Sequence, residues 1–352
     1  MAIKVKKGKG ILFEAVPDIG KIGVRVGENG RPLLAWPNRI AVPDDLLTKL
    51  RKDTVPFLYP PPKPIEYRGA SWILNTCADA DEYRNALIGL DQAFGKKLPI
   101  FNHPRAVAMT RRDLSAKLLT GISNLIVPKC VRFKADTNNS FQKTFEREDF
   151  SYPVLVRPAT SQTGQDLVKI DTPFDWVKVY QTHWYGKYHY MTQFIDTQTE
   201  SGFLKARVVL FGGSVHFHHV KKSNNWLIHH GGDEVSPEEF FEEEQSIVDK
   251  LKSCNSFAKM MSDIYTRSKM DLLGVDISIG TKNFVLFEAN AAMTIFHDKA
   301  YYSTNIMKKR YENMHGPLAD GLTSYISKFT QGKLDLSDRA AGFEAFHELL
   351  DF

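Results

Sequence analysis

The chain has 352 residues, 43% hydrophobic and 25% charged, which excludes a disordered polymer and leaves room for two or three cores. No apolar run reaches the roughly 18 residues of a membrane span, and MAIKVKKGKG leads into the short ILFEAV, so a soluble cytoplasmic protein is expected. Cys77, Cys130 and Cys254 stand far apart, giving neither a disulfide framework nor a zinc spacing.

The formal net charge of +5 is uneven: residues 1–70 carry thirteen Lys and Arg against seven Asp and Glu. That excess fits a surface that docks an acidic peptide or protein, and equally a solvated basic strand at a chain end. Lys4, Lys6, Lys7 and Lys9 lack the interleaved aromatics of a nucleic-acid surface. YPPPKPIEYRG, residues 59–69, reads as an extended linker, because consecutive prolines remove backbone donors. It separates the basic segment from SWILNTCADADEYRNALIGLDQAF, a strand, turn and helix. KLPIFN adds another strand, closed by His103-Pro104, so a small α/β unit is expected to end near residue 105.

Asp113, Leu114, Leu118 and Leu119 outline a short amphipathic helix that Gly121 stops, and IVPKCVRF is the strand it feeds. In YPVLVRPATSQTGQDLVKI two apolar runs flank the polar loop PATSQTG, which suits phosphate wrapping or a plain hairpin turn equally. MTQFIDT reads as a short strand, and GFLKARVVLFGGSVHFHHVKKSNNWLIHH as a meander turning at Gly212-Gly213 and Ser223-Asn224-Asn225. Ser236-Pro237-Glu238-Glu239 caps an acidic helix. NSFAKMMSDIYTRSKM is a longer helix, and the tail beyond Asp298 reads as two or more amphipathic helices.

LLGVDISIGTKNFVLFEAN pairs as a hairpin when Gly280 faces Phe284, which sets Asp276 opposite Glu288. A side-chain period of two then puts Val275, Ile277, Ile279, Val285, Phe287 and Ala289 on one face, and Asp276, Glu288 and Asn290 on the other. Paired carboxylates repel and need a compensating charge. A divalent cation with three oxygen ligands supplies it, and so would Lys or Arg partners.

These segments together resemble the ATP-grasp superfamily over residues 100 to 297. GVDIS and FEANAAM are similar to its magnesium-binding strands, YPVLVRPATSQTGQDLVKI to its strand, phosphate loop and strand, and MTQFIDT to the hinge that receives adenine. LKARVVLFGG is similar to its basic strand and FNHPRAVAMTRRDLSAKLL to its entry. The resemblance implies an α/β (α+β) ATP-grasp fold, two α+β lobes clasping ATP behind a small pre-ATP-grasp domain. The implied division is residues 1–105 for that domain, 106–185 and 186–300 for the two lobes, and 301–352 for a helical tail.

It also implies Mg2+ on Asp276, Glu288 and Asn290. ATP would be held by Arg112, Arg157, Gln165, Gln193, Phe194, Ile195 and Lys205, with Arg207, Lys205 and Arg157 catalytic. The implied reaction joins a carboxylate and an amine through an acyl phosphate, and a homodimer is compatible with the fold. Arg157 stands where many members carry Lys, and Arg112 or Asp113 where they carry Lys in the first helix; Arg keeps the charge with a different shape. A non-catalytic nucleotide-binding module with a signalling or scaffolding role is the other class. His216, His218 and His219, with His229 and His230, are open to substrate contact, chiefly by His218 or His219, to a transition metal, or to a phosphoryl group. Trp184 and Trp226 fit a core or a substrate wall.

Overall fold

The computed structural model describes residues 3–4, 9–26, 30–35, 37–61, 65–161, 164–228, 235–297, 299–343 and 346–350. It is a mixed α/β protein, as expected. The near-continuous apolar runs of β1 (Lys9–Ala15) and β3 (Ala70–Asn75) belong to strands covered on both faces. Ile11, Leu12, Phe13, Ile73 and Leu74 are at most 1% exposed. With β2 (Thr54–Tyr59) and β4 (Ile100–Phe101) they form a parallel sheet in the order β2-β1-β3-β4. Its crossovers carry α1 (Asp44–Asp53) and α2 (Arg84–Phe94). Residues 59–69 therefore separate no lobes: β2 before them and β3 after them flank the same strand, and Pro60 and Pro61 open the connection between the two.

His103 does more than close a strand. It caps α3 (Pro104–Ala108), its Nδ1 accepting the Arg105 N–H at 3.3 Å. α4 (Arg112–Leu119) follows, ending at Thr120, and then β5 (Leu125–Ile126). The second sheet is antiparallel: β6 (Cys130–Ala135), β7 (Val154–Pro158), β8 (Val168–Ile170) and β9 (Lys187–Gln193), in the order β6-β9-β7-β8. Its core joins Val154, Val156 and Met191 to Phe141 and Trp176, with Trp184 packed against Phe141 at 5.8 Å between ring centroids. Trp184 is thus a packing residue.

The third sheet runs β10 (Gln198–Thr199), β11 (Gly202–Phe211), β13 (Leu272–Ser278), β14 (Phe284–Asn290) and β5, with β12 (Ser214–Ser223) also pairing β11. Sheet membership therefore cuts across residue 185: β9 belongs with the second sheet and β5 with the third. α5 (Pro237–Lys252), capped by Ser236 Oγ accepting the Glu239 N–H, and α6 (Asn255–Ser268) follow β12. α7 (Asn305–Arg310) and α8 (Gly316–Thr330) lie in the tail. Leu318, Leu322 and Ile326 of α8 are fully buried, and Phe329 meets Trp72 and Phe101 at 5.7 and 5.4 Å, tying the tail to the first sheet.

Two expectations need correction. Asp276 does pair with Glu288, but the register shifts just after Asp276, so Ile277 faces Leu286. Phe287 becomes the unmatched residue; it is 38% exposed, and Leu286 takes the buried place assigned to it. Residues 227–228 are not in a strand, and His229 and His230 lie outside the described residues.

Candidate active site

Two cross-strand rows organise the polar residues. In an antiparallel sheet, residues directly opposite share a face. Across the third sheet, His219 pairs with Arg207, Arg207 with Asp276, and Asp276 with Glu288, so four polar side chains from β12, β11, β13 and β14 stand in one line. Across the second sheet, Arg132, Tyr190 and Arg157 form the corresponding row from β6, β9 and β7. Arg112, at the start of α4, donates to Glu288 Oε1 and lies close enough to Arg157 and Tyr190 for their charges to act on one another.

The carboxylates are held by cations of the chain. Arg207 donates to both oxygens of Asp276, Nε at 2.8 Å and Nη2 at 2.9 Å, and Lys205 Nζ lies 3.5 Å from Oδ2. Burial alone would raise the Asp276 pKa, but Arg207 and then Lys205 outweigh it and hold the carboxyl well below the usual range. Asn290 Nδ2 donates to Glu288 Oε1 at 2.5 Å, and Lys205 Nζ donates to the Ile228 carbonyl at 2.9 Å.

Arg157 differs from the other cations. Among the described residues it donates to Ser161 alone, through Nε to Oγ at 3.2 Å and Nη2 to the carbonyl oxygen, and no carboxylate hydrogen-bonds it, although Glu288 acts on it electrostatically. Burial and the charge of Arg112 push its pKa down to about 10. Glu288 offsets part of this but is shared with Arg112, so a half-buried Arg157 gains from an arriving anion.

The remaining expected residues divide. Gln193 Nε2 donates to the Ser151 and Pro153 carbonyls, both at 2.9 Å. The main-chain N–H groups of Gln193 and Phe194 donate to the carbonyls of Lys129 and Pro153, so these two donors already serve the fold. Phe194 and the half-buried Ile195 follow β9; Trp226 meets the Phe194 ring edge-on at 5.8 Å, and Lys169 Nζ sits 4.3 Å from its centroid. Trp226 therefore stands beside the expected adenine hinge. Gln165 is exposed in the turn after β7, and residues 162–163 of that loop lie outside the described residues.

His218 and His219 do not alternate across the sheet. Arg207 pairs with His219 and Val208 with Phe217, leaving His218 unmatched in a bulge. Both rings are buried, and their Nδ1 atoms lie 2.7 Å apart. His216 instead stacks on Phe211 at 4.3 Å. Among the described residues no three His, Cys, Asp or Glu are grouped to hold a metal. The oxygen donors of Asp276, Glu288 and Asn290 still suit a hard cation such as Mg2+ in chemical type. Glu288 Oε2 has no hydrogen bond among the described residues, whereas both Asp276 oxygens are engaged by Arg207.

Sequence reasoning missed a second set. Asp79, Asp81 and Glu82 leave the C-terminal end of β3, where parallel sheets place their ligands. Asp79 Oδ1 accepts the N–H groups of Asp81 and Glu82 at 2.8 and 2.9 Å; Asp81 takes Arg132 at 3.1 Å and the Tyr190 hydroxyl. Burial, reinforced by Asp81 and Glu82, pushes the Asp79 pKa up to about 7. Asp113 is bound by both arms of Arg111, at 2.8 and 2.9 Å. ADADE at a strand end and the alternation in β6 and β9 were the available signals, but only the fold joins them.

No family model and no curated protein matches the sequence. Among solved structures the chain is similar to a D-alanine–D-alanine ligase from Bacillus anthracis. That likeness has 12% identity over 93% of this chain and 99% of the other, with a TM-score of 0.49. It is similar to D-alanyl-alanine synthetase A from Vibrio cholerae at 8% identity over 94% and 99%, TM-score 0.49. A carboxyaminoimidazole ribonucleotide synthase from Aspergillus clavatus, complexed with ATP, shows 9% identity over 81% and 70%, TM-score 0.43. At these scores no functional conclusion follows from the likeness.

Proposed function

We propose that this chain is an ATP-dependent carboxylate–amine ligase of the ATP-grasp superfamily, with the nucleotide phosphates between the rows of the second and third sheets. The supporting observation is Arg157, a half-buried guanidinium with no carboxylate hydrogen-bonded to it among the described residues, next to Arg112, which itself engages Glu288. The phosphates of ATP would supply the missing charge, and Lys205 and Arg207 would complete the cradle. The proposed division keeps residues 1–105, one lobe centred on the second sheet, one centred on the third sheet with β5 added from earlier in the chain, and the tail from 301.

In this reading a substrate carboxylate attacks the terminal phosphorus, giving an acyl phosphate and ADP. An amine then forms the C–N bond and phosphate leaves. The cations hold the phosphates in line and stabilise the charge that spreads over the transferred group. Asp276, Glu288 and Asn290 would hold Mg2+, each guanidinium now on a carboxylate sharing it or moving onto phosphate. Bound there, the cation would neutralise charge on the terminal phosphates. The enclosing lobes exclude water, which would otherwise hydrolyse the intermediate.

No described helix is long and apolar enough to cross a membrane. A cytoplasmic location, where ATP and magnesium are at hand, fits the proposed reaction. An acidic partner would meet the N-terminal part, where Lys9 already pairs with Asp53 at 2.9 Å and Lys6 and Lys7 lie outside the described residues.

One observation favours a non-catalytic nucleotide-binding module: Asp276 and Glu288 are both satisfied by arginines of the chain. Phosphate release with ATP, magnesium and pooled acids and amines separates the two, with Glu288→Gln as the blank. Release that needs both an acid and an amine supports the ligase. Tight nucleotide binding with no release under any pairing supports the module.

A further inference from the structure

The histidines of β12 have a determined proton arrangement. A carbonyl oxygen only accepts, so His218 Nε2, 3.0 Å from the Ile295 carbonyl, carries the hydrogen. In the neutral ring its Nδ1 is then an acceptor, and the proton in the 2.7 Å contact with His219 belongs to His219 Nδ1. His219 is left with a bare lone pair on Nε2. That atom is buried and has no hydrogen-bond partner among the described residues. His315 supports the arrangement from behind: its Nε2 donates to the His218 carbonyl at 2.7 Å and its Nδ1 receives the Tyr302 hydroxyl at 2.8 Å. Burial first, then the neighbouring histidine and Arg207, hold the His218 and His219 pKa values well below the ordinary histidine value.

The lone pair belongs to the cationic row. His219 stands directly across from Arg207, so imidazole and guanidinium share one side of the sheet, and Arg207 Nη1 donates to the Thr294 carbonyl at 3.0 Å, next to the Ile295 carbonyl that receives His218. Lys205 and Lys221, a cross-strand pair one step along, add positive charge to that side, and both act electrostatically on His219. An acceptor in such surroundings takes a hydrogen from a group that brings no positive charge of its own. An ammonium next to Arg207, Lys205 and Lys221 is repelled, whereas an amide N–H or a hydroxyl is not.

Resting on the ligase reading, we infer that His219 Nε2 is a specificity contact for the carboxylate substrate. It selects acids that carry a neutral N–H or O–H donor beside the carboxylate, as N-acyl amino acids, peptide C-termini and 2-hydroxy acids do, over free amino acids. The carboxylate faces Arg207 and Lys205 while the donor meets His219.

Two readouts test this. Side-chain nitrogen NMR of histidine-labelled protein, assigned with His219→Gln, is followed at neutral pH with a non-hydrolysable ATP analogue and magnesium. N-acetyl amino acids, 2-hydroxy acids and free amino acids are added in separate arms. The expected spectrum shows an unprotonated Nε2 that moves with the first two sets and stays with the third, and which of the two moves it identifies the donor. In phosphate release, His219→Leu should raise KM for the preferred acid at least tenfold with little change in kcat, while His219→Gln, whose carbonyl also accepts, retains most of the preference. Release driven equally well by free amino acids overturns the inference and leaves the ligase reading standing. No release with any acid defeats the ligase reading, and an Nε2 resonance unmoved by every acid overturns the inference whatever the release assay shows. A protonated Nε2 at the outset, or a phosphoramidate phosphorus signal on His219, also overturns it.

Discussion

Arg207 and Asp276 meet side by side on adjacent antiparallel strands, joined by two parallel hydrogen bonds of 2.8 and 2.9 Å. The pair keeps a buried carboxylate ionised by means of the chain's own charge. Removing one partner leaves the other buried and uncompensated, so Asp276→Asn should cost about 3 kcal/mol in urea unfolding. Adding Arg207→Met should recover part of that loss, and single-variant costs that simply add would show that the two do not act as a pair.

Arg157 should respond in the opposite sense. Without ligand, Arg157→Met removes a half-buried charge that no carboxylate hydrogen-bonds among the described residues and that Arg112 repels, so stability should stay level or rise by about 1 kcal/mol. Arg112→Met exposes Glu288 to a lost partner and should destabilise. Thermal unfolding without nucleotide compares them; equal losses would contradict the distinction.

The buried histidines set an acid limit. Burial lowers the His315 pKa to about 4 from its ordinary value of 6.5, so between these values the unfolded chain binds the proton and the folded chain does not. Stability is therefore lost as pH falls from 6.5 towards 4. Relative to His315→Gln, the wild type should lose on the order of 3 kcal/mol between pH 7 and pH 4. A pH-independent difference in urea midpoints would sink this.

Asp79 carries the reverse dependence. Its carboxyl is pushed up to about 7 from 3.8, so the folded form holds the proton longer than the unfolded chain and stability falls as pH rises through that interval. Asp79→Asn keeps an oxygen for the Asp81 and Glu82 N–H groups. Its stability relative to wild type should rise by at least about 1 kcal/mol between pH 4 and pH 8. A difference that shrinks over that interval would exclude a raised carboxyl.

Much of the third sheet was legible because its cues are local. Period-two alternation placed Asp276 opposite Glu288, although the register assumed at Gly280 holds only on the far side of the shift after Asp276. The bulge that exposes Phe287 was not legible, since an extra residue leaves no mark on an apolar run. The bulge that leaves His218 unmatched in β12 is equally silent in the sequence. The prolines of residues 59–69 suggested a domain linker because a crossover inside a parallel sheet has the same composition. The contact of Asp81 with Arg132 and Tyr190 joins residues 51 and 109 positions apart, a separation at which no local pattern speaks.

The most direct test of the central claim is calorimetric titration of the protein with ATP and magnesium, in wild type and in Arg157→Met. The account predicts saturable one-site binding in the wild type, weakened at least tenfold in the variant although that variant is no less stable. Absence of binding heat in the wild type, or equal affinity in both proteins, would contradict a phosphate site between the two sheets.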